Sequence, residues 1–152
     1  TTLVEAKMLG HKSVGFDINP VAKLITQTKT TPIKPRTLVN HRARFLAYYD
    51  NAPQVSHNHH PRISYWFDEP TISELDKIYF AIKKIKNHNV RRFFLCAFSH
   101  NLKNCSRWLM KSIKPMIDKE KIVPNPKESF LRHLDSIFAE FLRKYNPNYA
   151  TI

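Results

Sequence analysis

Ser13-Val14-Gly15-Phe16-Asp17-Ile18, followed at once by Asn19-Pro20, is the stretch on which the fold class turns. The run is short, rich in β-prone residues and ends in a carboxylate, which predicts a strand. Before it, Leu3, Val4, Met8 and Leu9 fall at helical spacing, and Gly10 supplies a C-terminal stop. After it, Pro20 suits the first position of another helix, with Val21, Leu24 and Ile25 on its apolar face. Helix, strand and helix in that order make the middle of an α/β unit, here assigned to residues 1–35. The chain opens directly on Thr1-Thr2 with no folded start before it, and so reads as a piece of something longer.

Residues 36–152 carry a different pattern. A Thr/Pro/Lys connector ends near Pro35, and Leu38, Val39, Ala43, Phe45, Leu46 and Tyr49 then mark a helix. Periodicity vanishes over residues 51–64, which hold Pro53, Pro61 and a His-rich run, so a flexible loop is expected there. Thr71-Ile72-Ser73-Glu74 reads as a capping box with Thr71 as the cap. Leu75, Ile78, Tyr79, Ile82 and Ile85 follow at helical spacing. Beyond a break near Asn87, an apolar stripe runs from Val90 through Phe94, Phe98 and Leu102 to Leu109, and Pro115 ends that helix or the segment after it. Asn125-Pro126 opens a last helix lined by Phe130, Leu131, Leu134, Ile137, Phe138, Phe141 and Leu142, with Pro147 beyond its end. The expected architecture is an α/β fragment followed by a mainly α-helical segment, helix-rich overall.

The 152 residues carry 25 Lys and Arg against 12 Asp and Glu, a net charge of +13. Such a balance attracts polyanions, because neutralising phosphates releases counterions. It suits a nucleic-acid partner, and a solubilising basic surface is the plain alternative. The 42% apolar content, with 12% aromatic residues, is enough for a real core and argues against wholesale disorder. No apolar run reaches the ~20 residues that a membrane helix needs, so no membrane partner and a cytoplasmic location are expected. Cys96 and Cys105 stand nine residues apart in one expected helix, on opposite faces and about 13 Å apart along the axis. That separation excludes a disulfide between them.

Asp17 at the end of a strand is the first residue with possible chemistry. In doubly wound folds a carboxylate in that position accepts hydrogen bonds from ribose hydroxyls. An Asp before Asn-Pro is also a common helix cap, and the residues alone leave both roles open. A nicotinamide-dinucleotide site would use an acidic residue in the same place, though Asn19-Pro20 suits it less well. His57, His59 and His60 have no neighbouring Cys or carboxylate to complete a metal site, so no metal is expected. His100 and Cys105, five residues apart on one helix, point apart and make a poor nucleophile and base. Tyr65-Trp66-Phe67 could stack on unpaired bases, or pack at a loop-to-helix junction.

The wording of Thr1-Thr2-Leu3-Val4-Glu5-Ala6 and Gly15-Phe16-Asp17-Ile18-Asn19-Pro20 resembles the cofactor-binding region of the amino-group DNA methyltransferases. Tyr65-Trp66-Phe67, Val90-Arg91-Arg92-Phe93-Phe94-Leu95, Ser99-His100, Ser106-Arg107-Trp108 and Met110-Lys111-Ser112-Ile113-Lys114-Pro115 resemble a helical segment of that family. The two matches together span most of residues 1–145. The resemblance implies a partial Rossmann-like unit in which Asp17 holds the ribose of S-adenosylmethionine, Ile18 lies against adenine, Asn19 follows, and Thr1 and Thr2 border the methionine side. It implies DNA as partner, with Arg91, Arg92, Arg107, Lys111 and Lys114 facing phosphates. The activity implied is site-specific transfer of a methyl group to the exocyclic amine of adenine or cytosine, as in restriction–modification.

Two departures qualify that implication. The family's Gly-rich turn is absent, since Gly10 and Gly15 are the two glycines of the chain. The catalytic tetrapeptide with its Pro-Pro pair is also absent, and no catalytic residue is named. The chain alone is therefore expected to be inactive, with a second polypeptide or self-association completing the fold. The alternative expectation is a stand-alone basic helical module that binds nucleic acid without catalysis.

Overall fold

A computed structural model describes residues 2–54 and 59–145, of which residues 141, 142, 144 and 145 are described by backbone alone. The expected roles of Thr1 and His57, the inward side chains of Phe141 and Leu142, and Pro147 beyond the last helix therefore lie outside the described residues. Among the described residues, seven helices follow one another: α1 Thr2–Met8, α2 Pro20–Thr30, α3 Pro35–Asp50, α4 Arg62–Trp66, α5 Glu69–Lys84, α6 His88–Cys105 and α7 Pro126–Tyr145.

The α/β expectation is overturned. Residues 11–17 take no strand conformation, and among the described residues there is no sheet. A strand is held by the ladder it makes with a neighbour and by burial of at least one face. The 13–18 segment has neither: Val14 is 83% exposed and Phe16 98%, and Ile18 is fully in solvent. β-Propensity without a pairing edge leaves it irregular. Extended pairing occurs instead at an isolated antiparallel bridge between Trp108 and Ile117.

Helix α6 is the centre of the fold and packs against α2, α3, α5 and α7, while α1 rests on α2. Its stripe Val90, Phe93, Phe94 and Ala97 is buried, and Cys105 closes it. Phe45 from α3, Ile78 and Ile82 from α5, and Phe130 from α7 reach the same core, all without measurable exposure. The rings interlock: the Phe130 centroid lies 5.2 Å from Phe45, 6.5 Å from Phe94 and 6.4 Å from Phe98. Fully burying each such side chain contributes about 1.5–3 kcal/mol.

The helix ends follow capping chemistry, with one difference from the sequence reading. Helix α5 begins at Glu69, and Asp68 is its N-cap, accepting from the Thr71 amide at 2.9 Å. Pro70 fits the first turn, where its missing N–H costs nothing, so the helix starts before Thr71. Thr71 is buried within that first turn, and Glu74 accepts instead from Tyr49 and Lys77. Asn87 caps α6 through the amides of Asn89 and Val90, each at 3.1 Å. Asn125 accepts from the Glu128 amide at 3.1 Å at the start of α7. The stripe expected to run on to Leu109 stops being helical at Cys105, where Ser106 turns the chain away.

Candidate nucleic-acid interface

The expected basic contacts fall at the two ends of α6. At its N-terminal end Arg91 is half-buried, donating to the Ile85 carbonyl at 3.4 Å and lying 2.9 Å from His88 Nδ1. Arg92 stands beside it, with its carbonyl within 3.4 Å of the buried Thr28 hydroxyl. Lys83, Lys84 and Lys86 are exposed at the same corner, where α5 gives way to α6. Lys84 lies over the Phe80 ring at 4.9 Å. Arg107, Lys111 and Lys114 follow the other end. At the helical rise of 1.5 Å per residue, Arg92 and the end of α6 stand about 20 Å apart, roughly six base pairs of duplex.

The C-terminal group sits on a braced hairpin. Arg107 accepts from the Asp118 amide at 2.8 Å, and Leu109 donates to Met116 at 2.9 Å, on either side of the Trp108–Ile117 bridge. The Arg107 amide donates to Trp66 O at 2.8 Å, tying the hairpin to α4. Trp108 stacks on Trp66 with centroids 5.4 Å apart and an interplanar angle of 24°, and Tyr65 meets Trp66 edge-on at 5.1 Å. Two of the three aromatics that could have stacked on bases thus stack on one another or on Trp108, and Phe67 packs against the core. Trp108 Nε1 donates across the turn to Ser112 O at 3.3 Å. Lys121 Nζ lies inside the bend, 2.7 Å from Ser106 O and 3.3 Å from both Lys103 O and Trp108 O. Burial there pushes its ammonium below the usual lysine range.

One electrostatic signal extends beyond the five expected residues. From Lys77 to Ile117 the chain holds ten Lys or Arg and no Asp or Glu. Lys83, Lys84, Lys86 and Lys103 belong to this acid-free stretch with the expected Arg91, Arg92, Arg107, Lys111 and Lys114. Charge spacing along the sequence would have found them; helix periodicity alone does not, because each lies on a solvated face.

Among the described residues, the expected cofactor residues Thr2, Asp17, Ile18 and Asn19 border neither of the two hollows on this side of the molecule. Asp17 accepts from the Asn19 amide at 2.8 Å, and Asn19 accepts from the Val21 amide at 2.9 Å, so both shape the turn into α2. Thr2 begins α1 on an exposed face. Two shallow hollows lie beside α1 and α2. One is bordered by Val4, Met8, Thr31 and Pro32, the other by Leu3, His11, Ser13 and Thr26. Asp17, Ile18 and Asn19 line neither, and as they stand they do not enclose a nucleoside.

The remaining reactive side chains are engaged structurally. Cys96 and Cys105 are free thiols in the core. Burial pushes both up from their ordinary value, although Thr28 lies beside the one, and Ser129 and Asn101 beside the other, with Asn101 Nδ2 donating to Cys105 Sγ at 3.3 Å. His100 stacks on His133 at 5.5 Å and does not pair with Cys105. His59 binds Asp76 at 2.8 Å. No group of three or more His, Cys, Asp or Glu among the described residues could hold a metal ion. No described helix is long and apolar enough to cross a membrane.

No family model matches the chain, and no solved structure matches it. The chain is similar to the Type II methyltransferase M.MvaI of Kocuria varians, with 29% identity over 147 residues. The match covers 88% of this chain and 32% of that protein, so the chain spans about a third of the length of the curated relative it matches. The methyltransferase resemblance read from the sequence is supported by this relative, over nearly the whole chain and not at the cofactor-like segment alone.

Proposed function

We propose that the chain is part of a DNA methyltransferase and supplies a basic, helical, DNA-contacting body. The observation that carries the reading is the similarity to a Type II methyltransferase along 88% of the chain. The reaction would transfer a methyl group from S-adenosylmethionine to the exocyclic amine of adenine or cytosine. Arg91, Arg92, Arg107, Lys111 and Lys114 would bind phosphates from the two ends of α6, giving affinity that depends on salt and little on sequence. Thr1, Thr2, Asp17, Ile18 and Asn19 would contribute to a cofactor site only together with groups that close around them, from a second polypeptide or a second copy.

Calorimetric titration with S-adenosylmethionine and a methyl-transfer assay on duplex DNA test this reading. The chain alone is expected to bind DNA at low salt, to bind the cofactor weakly, and to transfer no methyl group. Micromolar cofactor affinity would overturn the assignment of an incomplete site. Absence of DNA binding at low salt would overturn the DNA-contacting role.

A second reading, a basic helical module that binds nucleic acid by charge alone, is favoured by the net charge of +13 on a helical body. Methyl transfer that appears when a complementing methyltransferase polypeptide is added would exclude it.

A further inference from the structure

The 107–118 hairpin leaves apolar side chains in water at the tip of a structure that is rigidly held. Ile113 is fully exposed, and Met110 and Met116 are 50% and 51% exposed. Burying an isoleucine side chain stabilises by about 1.5–3 kcal/mol, and that gain is forgone here. The tip is not a slack loop. Its base is paired across Trp108 and Ile117, Trp108 Nε1 crosses to Ser112 O, and the Ser112 hydroxyl donates to Lys114 O at 2.8 Å. Lys121 fills the bend from within, and the two tryptophans stack beneath it. Such bracing holds the exposed tip in one shape.

The charge of the tip indicates what it meets. Arg107, Lys111 and Lys114 flank the apolar residues, and no carboxylate occurs before Asp118 at the foot of the hairpin. Asp118 Oδ1 is itself turned to the Glu120 amide at 3.1 Å. A protein partner would be expected to meet these cations with acidic groups, whereas a duplex offers phosphates on both sides of a groove floored by base edges. A two-stranded ribbon fits the major groove, about 12 Å wide, and is too broad for the minor groove at about 6 Å.

From this geometry we infer that the 107–118 hairpin enters the major groove of duplex DNA. Lys111 and Lys114 contact phosphates on its walls, and Ile113 lies against base edges, where thymine methyl groups are its apolar counterpart. The inference rests on the DNA-contacting reading above and names the element that makes the contact.

Both tryptophans of the chain, Trp66 and Trp108, lie in the stack under the hairpin, so their fluorescence reports on this element. The test titrates the full chain with a mixed-sequence duplex, following tryptophan emission and the anisotropy of labelled DNA over a range of salt. Wild type is expected to bind with a change in emission. Lys111→Gln/Lys114→Gln is expected to bind about tenfold or more weakly, its log K against log salt slope falling in magnitude by about 1.8, or 0.9 per phosphate. Ile113→Ala is expected to weaken binding roughly threefold to tenfold, the equivalent of withdrawing one or two methylene groups from apolar contact, with the slope unchanged. Methyl green, which occupies the major groove, should compete.

Lys12→Gln/Lys23→Gln removes the same charge from an exposed surface elsewhere, and circular dichroism checks that each variant is folded. If wild type binds but the hairpin variants lose no more than Lys12→Gln/Lys23→Gln, the hairpin assignment fails while the DNA reading stands. Competition by a minor-groove ligand in place of methyl green also overturns it, as does concentration-dependent self-association abolished by Ile113→Ala. If wild type does not bind duplex at low salt, both readings fail.

Discussion

Replacing Phe130 by Ala removes the ring on which three helices converge. Phe130 has no solvent exposure, and its ring meets Phe45 of α3 at 5.2 Å and Phe94 and Phe98 of α6 at 6.5 and 6.4 Å. Losing the apolar transfer and leaving a ring-sized cavity costs about 3–5 kcal/mol for a buried Phe→Ala change. Losing the ring pairs adds to the upper part of that range, because each is worth about 0.5–1.5 kcal/mol beyond burial. Against a total stability of about 5–15 kcal/mol, this is a large fraction. For a chain of this size each 1 kcal/mol lowers Tm by about 2–4 °C, so Phe130→Ala is expected to lower it by roughly 6–20 °C. Thermal unfolding followed by circular dichroism at the helix band reads this directly. Ile113→Ala, at a fully exposed position, serves as the contrast and should change Tm by less than about 2 °C. A Phe130→Ala shift as small as that of Ile113→Ala would refute a single core shared by α3, α6 and α7.

Four further outcomes follow from local geometry. Asp68→Ala should cost about 0.5–2 kcal/mol through loss of the α5 cap, and a denaturant titration in which that variant matched wild type would show that Asp68 is not the cap. Burial pushes the Glu74 carboxyl up, but hydrogen bonds from Lys77 and Tyr49 outweigh it and leave the group below its ordinary value of 4.5. Its contribution to stability is therefore present above that value and lost as pH falls through the folded value, and Glu74→Gln should flatten this acid limb of the stability curve. His133 acts in the same direction at higher pH. Burial and then the neighbouring His100 hold it below 6.5, so protonation opposes folding as pH drops through that region, and His133→Phe should remove this part of the dependence. Cys96 and Cys105, buried and with raised thiol values, should react with a thiol probe far more slowly in the folded chain than in denaturant.

The helical body was largely legible because its signals are local. Periodic apolar residues, Asn125 as a cap, and Pro20 and Pro126 at helix starts all act within a turn of chain, and they place α2, α3, α6 and α7, whereas at Asn87 the sequence showed a break and the structure a cap. The strand expected at 13–18 failed for the opposite reason: its formation depends on a pairing partner that no local pattern specifies. The shift of the α5 cap from Thr71 to Asp68 is intermediate. Both residues offer an oxygen to an orphan amide, and Pro70, suited to the first turn, goes with a helix that begins three residues earlier. For the candidate interface, sequence named five basic residues but not their division between the two ends of α6. Nor did it show the hairpin, which arises from the Trp108–Ile117 bridge, Lys121 inside the bend and the Trp66 stack, contacts made across many residues of chain.

Binding of the intact chain to a mixed-sequence duplex as a function of salt is the most direct test of a DNA-contacting helical body. With Arg91, Arg92, Arg107, Lys111 and Lys114 each on a phosphate, log K should fall linearly with log salt with a slope of about −4.5, at about −0.9 per contact. A slope near zero, or no binding at low salt, would contradict it.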